Sequence, residues 1–137
     1  MRKIFILTLA VISVVSCGKF EEGPFLSFLS VKKRVEGKWK LDKYLMDGAD
    51  STESFLKGFT EEYDFKDDFT LVYTLRNRQP VDGKWVIEGN EILLELEMTS
   101  TNGIEYIERD TLPLVRLTNR QMWARYENGI EKQYKAD

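Results

Sequence analysis

From residue 37 onward, apolar and polar side chains alternate along the chain. Trp39, Leu41 and Leu45 alternate with Lys38, Lys40, Asp42 and Tyr44. Tyr63 and Phe65 alternate with Glu62 and Asp64, and Phe69, Leu71, Tyr73 and Leu75 with Asp68, Thr70, Val72, Thr74 and Arg76. Ile92, Leu94, Leu96 and Met98 follow the same rule. A period of two puts one set of side chains on each face of a half-buried sheet. Residues 83–87, 104–109, 112–117, 122–126 and 130–134 complete the predicted strands. Between them lie turn signals, with Asn102-Gly103 and Asn128-Gly129 the strongest, because both residue types tolerate positive φ. Successive hairpins predict an all-β fold: an antiparallel up-and-down meander of about eight strands. Closure into a small barrel would leave no free edge. Pro113 has no N–H to donate, so its strand is expected to be at an edge or bulged there. Residues 47–58 are the one long excursion, with a short helix expected to begin at Ser51. A helical turn over 30–35, capped by Ser30, precedes the first strand.

The N-terminus is built differently. Met1-Arg2-Lys3 is followed by an apolar run that ends at Val14-Val15-Ser16-Cys17. A basic start and a short apolar stretch make a signal peptide, since a membrane span needs about 20 residues. Val14 to Cys17 resembles the lipobox of bacterial lipoproteins, which implies lipidation of Cys17 and cleavage before it. Cys17 is the only cysteine, so it has no partner for an internal disulfide. The expected organisation is a signal peptide over 1–16, a lipidated tether over 17–30 and a barrel domain over 31–137. Lipidation makes the chain anchored to a membrane rather than spanning it.

Charge narrows the function classes. The whole chain has 20 basic and 23 acidic side chains. Loss of Arg2 and Lys3 with the signal takes the net charge to about −5, which argues against nucleic acid as a partner. There is no histidine. Triads that need imidazole and histidine zinc sites are therefore excluded. No cofactor and no metal site is expected. Glu61, Glu62, Asp64, Asp67 and Asp68 in one hairpin, and Glu91, Glu95 and Glu97 on another strand, read as solvated outer faces.

The opening of the barrel carries a family likeness. Phe20-Glu21-Glu22-Gly23-Pro24, then Ser30-Val31-Lys32-Lys33-Arg34-Val35, then Gly37-Lys38-Trp39-Lys40 follow the cysteine in order. The set resembles the lipocalin-like lipoproteins of Bacteroidota, with the Gly-x-Trp first strand of calycin barrels. Gly83-Lys84-Trp85 echoes that strand start, and Glu62 to Phe69 looks like a hairpin of the family. The resemblance implies a lipocalin-like barrel and an envelope location, and brings no catalytic residues. It also implies structural roles for Gly37 and Trp39, with a basic residue from the last strands over Trp39. Arg125 is the first candidate for that residue and Arg116 the second.

The expected interior includes Trp39, Leu41, Tyr63, Phe65, Phe69, Leu71, Tyr73, Trp85, Leu94 and Leu96, together with Leu45, Ile87 and Met122. A binding module would use the first ten of these to line a pocket for a small apolar ligand. The alternative is an accessory or structural protein with a filled core that docks on an envelope protein. An enzyme is not expected. Gly18 after the cysteine points to the outer membrane. Lys19, Glu21 and Glu22 resemble the surface-export signal of Bacteroidota lipoproteins, so the cell surface is favoured slightly over the periplasmic face.

Overall fold

The computed structural model describes residues 30–137. Cys17, the signal peptide and residues 18–29 of the tether lie outside the described residues. The chain enters through α1 (Val31–Val35), where Ser30 Oγ accepts the Lys33 N–H at 3.2 Å. This is the expected N-cap. Nine strands follow: β1 (Gly37–Met46), β2 (Ala49–Asp50), β3 (Glu61–Phe65), β4 (Thr70–Leu75), β5 (Val81–Glu88), β6 (Glu91–Thr99), β7 (Glu105–Leu117), β8 (Gln121–Arg125) and β9 (Ile130–Ala136). A second short helix, α2 (Thr52–Leu56), lies between β2 and β3. Strands β1 and β3 to β9 pair antiparallel in order, and β9 closes back onto β1. The fold is therefore an eight-stranded closed meander with β2 as a small extra strand on β1.

Two departures from the alternation have local causes. Leu45 is expected inside and Tyr44 outside, but Tyr44 is buried and Leu45 is only half-buried. The β1–β9 register slips between Leu41 and Lys43. One extra residue on β1 reverses which face each later side chain takes. Residues 104–109 and 112–117, expected as separate strands, form the single strand β7. No turn interrupts it, because pairing with β6 continues without a break from Glu105 to Pro113. Pro113 lies just before the bulge between Leu114 and Arg116, on the part of β7 not paired with β8.

The two ends of the barrel differ. At the base, α1 lies against the β3–β4 and β7–β8 turns, with Lys32 Nζ donating to Asp67 O at 2.7 Å and Arg34 to Leu117 O at 2.9 Å. Trp39 and Trp85 are both buried just above it. Their indole N–H groups donate to Val35 O at 2.7 Å and Lys66 O at 3.2 Å. The two similar strand starts use their glycines for different reasons. Gly37 has φ +118°, which L side chains rarely adopt. Gly83 is needed for closeness: a Cβ there would sit 2.5 Å from Glu95 O on β6. At the opposite end α2 lies over the mouth.

Trp39→Ala is expected to destabilise the domain by about 3–5 kcal/mol, the usual cost of truncating a buried large aromatic. Denaturant melts of variant and parent decide this. A loss under about 1 kcal/mol would show that Trp39 is not a core plug.

Candidate functional site at the barrel mouth and rim

Nearly all the predicted lining residues face inward, where they pack against one another; Trp39 and Tyr63 also border a cleft with Lys38, Glu62 and Asp64, and Trp85 and Leu94 one with Lys84, Val86 and Glu95. Trp39, Leu41, Tyr63, Phe65, Leu71, Trp85, Leu94 and Leu96 are buried in one continuous core. Their rings fill the space between them. Tyr63 stacks on Phe65 and Tyr73 at 5.4 and 4.7 Å between ring centroids, and Phe65 meets the Trp85 face edge-on at 5.2 Å. Barrels of eight strands are only just wide enough for this arrangement. Leu112, Leu114, Leu117 and Tyr134, which the sequence reading left out of the interior, complete the packing.

Phe69 is a correction. It lies at the β3–β4 turn with φ +66° and is 45% exposed. The left-handed backbone turns its ring out of the barrel, against Trp85 at 5.4 Å and under the Lys32 ammonium at 4.7 Å. Arg125 is another. Met122 and Ala124 are the inward residues of β8, so Arg125 points outward, where its Nε donates to Glu131 at 2.8 Å. That parity keeps it away from Trp39. Arg116 stacks on Trp123 instead, at 5.0 Å from the ring centroid. The buried cation at the base is Arg34, from α1.

The polar chemistry lies at the mouth and centres on Glu61, which the sequence reading placed on a solvated face. It shares its parity with Tyr63 and Phe65, points inward and is 0% exposed. Lys132 Nζ, on β9, donates to its two oxygens at 2.9 and 3.3 Å. Tyr73 and Tyr134 donate their hydroxyls to Oε1 at 3.2 and 3.3 Å. A buried carboxylate needs such partners, because an uncompensated charge in this position costs several kcal/mol. Across the mouth, Glu108 and Asp110 share the inward parity of Leu112 but sit high enough to be exposed. Burial first, and then the Glu61 charge, pushes the Tyr63, Tyr73 and Tyr134 hydroxyls well up from their usual range. Tyr126 is raised by burial and then by Asp110. These phenols stay protonated, and those of Tyr73 and Tyr134 donate to Glu61.

Helix α2 covers this network. Phe55 stacks on Tyr44 with ring centroids 4.1 Å apart, and Lys132 Nζ lies 5.1 Å from the same ring. Arg76 fastens α2 from the other side by donating to Phe55 O at 2.6 and 3.1 Å. The Glu61 carboxylate is thus covered by α2 and neutralised from within the barrel. Among the described residues, no group of three His, Cys, Asp or Glu side chains is placed to hold a metal ion.

The rim offers a second surface. Strand β7 pairs with β6 from Glu105 to Pro113 but meets β8 only from Leu114 onward. The upper β6–β7 hairpin therefore projects beyond the barrel as a two-stranded ribbon. Ile104, Tyr106 and Ile107 on it are 60%, 47% and 50% exposed. Beside the free side of β7 runs an open cleft of about 620 Å³, bounded by Arg109, Asp110, Thr111, Arg125 and Tyr126 among others.

An antiparallel eight-stranded barrel with a Gly-x-Trp first strand and a helix across its base is a lipocalin-like barrel. Solved structures place it there too. A lipocalin-like protein from Bacteroides uniformis ATCC 8492 superposes with a TM-score of 0.53 at 17% identity, covering 76% of this chain and 99% of that one. An uncharacterized protein from Bacteroides eggerthii DSM 20697 gives 0.54 at 18% identity, covering 74% and 98%. At such identity the likeness is one of fold. No family model and no curated protein matches the sequence.

Removing Lys132 strands the Glu61 charge, so Lys132→Met is expected to cost about 3–5 kcal/mol. Adding Glu61→Gln to it should recover most of that loss. Urea melts of the two variants check this, and equal loss in both would show that the charge is not what Lys132 compensates. The tyrosines predict the pH dependence. Folded phenols keep protons that an unfolded chain releases above about pH 10. Their contribution is complete below that pH and is lost as pH rises through the raised folded values. Urea midpoints should therefore hold to about pH 10 and fall progressively above it, with tyrosinate absorbance appearing on unfolding.

Proposed function

We propose that this chain is an envelope lipoprotein, anchored through lipid on Cys17, whose barrel is a filled scaffold for docking rather than a container for ligand. The packed interior carries this reading: the side chains that would line an apolar pocket occupy one another's space instead. The unpaired edge of β7 supports it, since a free strand edge flanked by exposed apolar side chains is a template for pairing with another chain. A small ligand at the mouth is the second reading, favoured by the Glu61 network under α2. An outer-membrane location, with the domain at the cell surface ahead of the periplasmic face, accompanies the proposal on the strength of residues 18–22 alone.

Two experiments test it. Cys17→Ser should abolish incorporation of a palmitate analogue, and labelling equal to the parent would remove the anchor. Mass spectrometry of the purified protein, native and then denatured, should release no stoichiometric small molecule. Release of one would replace docking by ligand carriage.

A further inference from the structure

We infer that the docking surface is the free edge of β7 and that its occupant is a second copy of the same chain, paired antiparallel about Ile107. This rests on the docking reading above. The hydrogen-bond parity of β7 shows which groups are available. Ser100 donates its N–H to Ile104 O, and Leu114 donates to Asn90 O, each at an end of the β6–β7 ladder. Even-numbered residues of β7 therefore face β6, and the N–H and C=O groups of Glu105, Ile107 and Arg109 face away from it. None of these meets β8, whose pairing starts at Leu114. Their side chains point to the outer face, with Arg109 Nε donating to Glu95 Oε1 at 3.1 Å. Tyr106 and Glu108 take the other face.

The sequence of this edge is complementary to itself in one register. With Ile107 opposite Ile107 of the second copy, Glu105 faces Arg109 of the second copy, and Arg109 faces Glu105. Tyr106 then faces Glu108, a hydroxyl donor beside a carboxylate. Each Arg109 would lie between its own Glu95 and the other chain's Glu105. Opposite charges across strands stabilise and like charges destabilise. Moving the centre one residue up to Glu108 opposes two glutamates. Centring on Glu105 or Arg109 opposes two like charges, and centring on Tyr106 forms no ion pair. The Ile107 register alone forms two ion pairs and opposes no like charges. It also removes the unpaired backbone from a ribbon that two strands alone would hold only marginally.

The test uses the full chain, purified from membranes in detergent. Directly opposed residues that exchange backbone bonds have Cα atoms about 5.5 Å apart, within disulfide reach. Ile107→Cys is therefore expected to give a disulfide-linked dimer under mild oxidation, with the parent chain controlling for Cys17. In the parent chain, without the introduced cysteine, Glu105→Arg or Arg109→Glu alone should raise the dimer dissociation constant read by sedimentation about tenfold. An equimolar mixture of the two should restore it, because both ion pairs re-form between unlike chains. Thermal melts verify folding, with Glu105→Arg expected to match the parent and Arg109→Glu to melt slightly lower, because it sets a second carboxylate opposite Glu95 of the same chain. Sedimentation as a monomer, or cross-linking no faster than the parent's, overturns the proposal. So does a dimer indifferent to the charge reversals. If the β7 edge instead cross-links to a different protein while the chain stays monomeric, the dimer falls and the docking reading stands. If a stoichiometric small molecule is released, the docking reading itself falls.

Discussion

A sheet with one apolar face has two edges to satisfy, and here β1 meets that constraint for the whole molecule. Its lower residues, Gly37 to Lys40, pair with β3, while Trp39 to Met46 pair with β9. That second ladder turns an open meander into a closed wall. Closure forces each inward side chain into a space shared with all the others, at the density of a protein interior. Apolar residues fill it without difficulty. A polar one must find its partner inside, which is why Glu61, Lys132, Tyr73 and Tyr134 come from three different strands to one point. The bulge in β1 belongs to the same constraint. It turns Tyr44 inward, where its ring receives Phe55 and seats α2 on the mouth.

The period-two pattern made the fold class legible, and Gly-x-Trp with the preceding helical turn made the base of the barrel legible. Parity also held the information about Glu61: it stands two residues before Tyr63 and four before Phe65. Grouping it with neighbouring acids, rather than following the strand, hid its position. Lys132 was readable in the same way from Tyr134. Other features were out of reach. A single extra residue in β1 reverses the faces of Tyr44 and Leu45, and no residue type near Asp42 announces it. The left-handed backbone at Phe69 is unusual for a bulky side chain, so alternation placed that ring inside. Arg125 followed a family expectation that the parity of Met122 and Ala124 opposes.

The interior and the rim solve different problems. Inside, charge is tolerated because geometry provides a counter-ion and two hydroxyls for one carboxylate. The arrangement is tied to structure: the cation comes from the closing strand β9, so the ion pair forms only when the barrel is shut. On the outside, charge has to govern which other molecules can approach an unpaired strand. Free edges invite pairing with any extended chain, and proteins blunt them with proline, charge or local caps.

Strand β7 shows both the blunting and its limit. Where it runs toward β8, Pro113 presents no donor, and the Asp110 carboxylate occupies the Thr111 N–H. Nothing extended can add there without losing hydrogen bonds. Above that point the edge carries neither device, only the alternation of Glu105, Ile107 and Arg109. Those charges oppose most strands and most registers, since a shift that brings like charges together is repelled. They oppose one arrangement least: the strand meeting its own copy about Ile107. Protection and recognition are then the same feature. The charges that keep the edge from pairing indiscriminately also select the single partner and register that satisfy it.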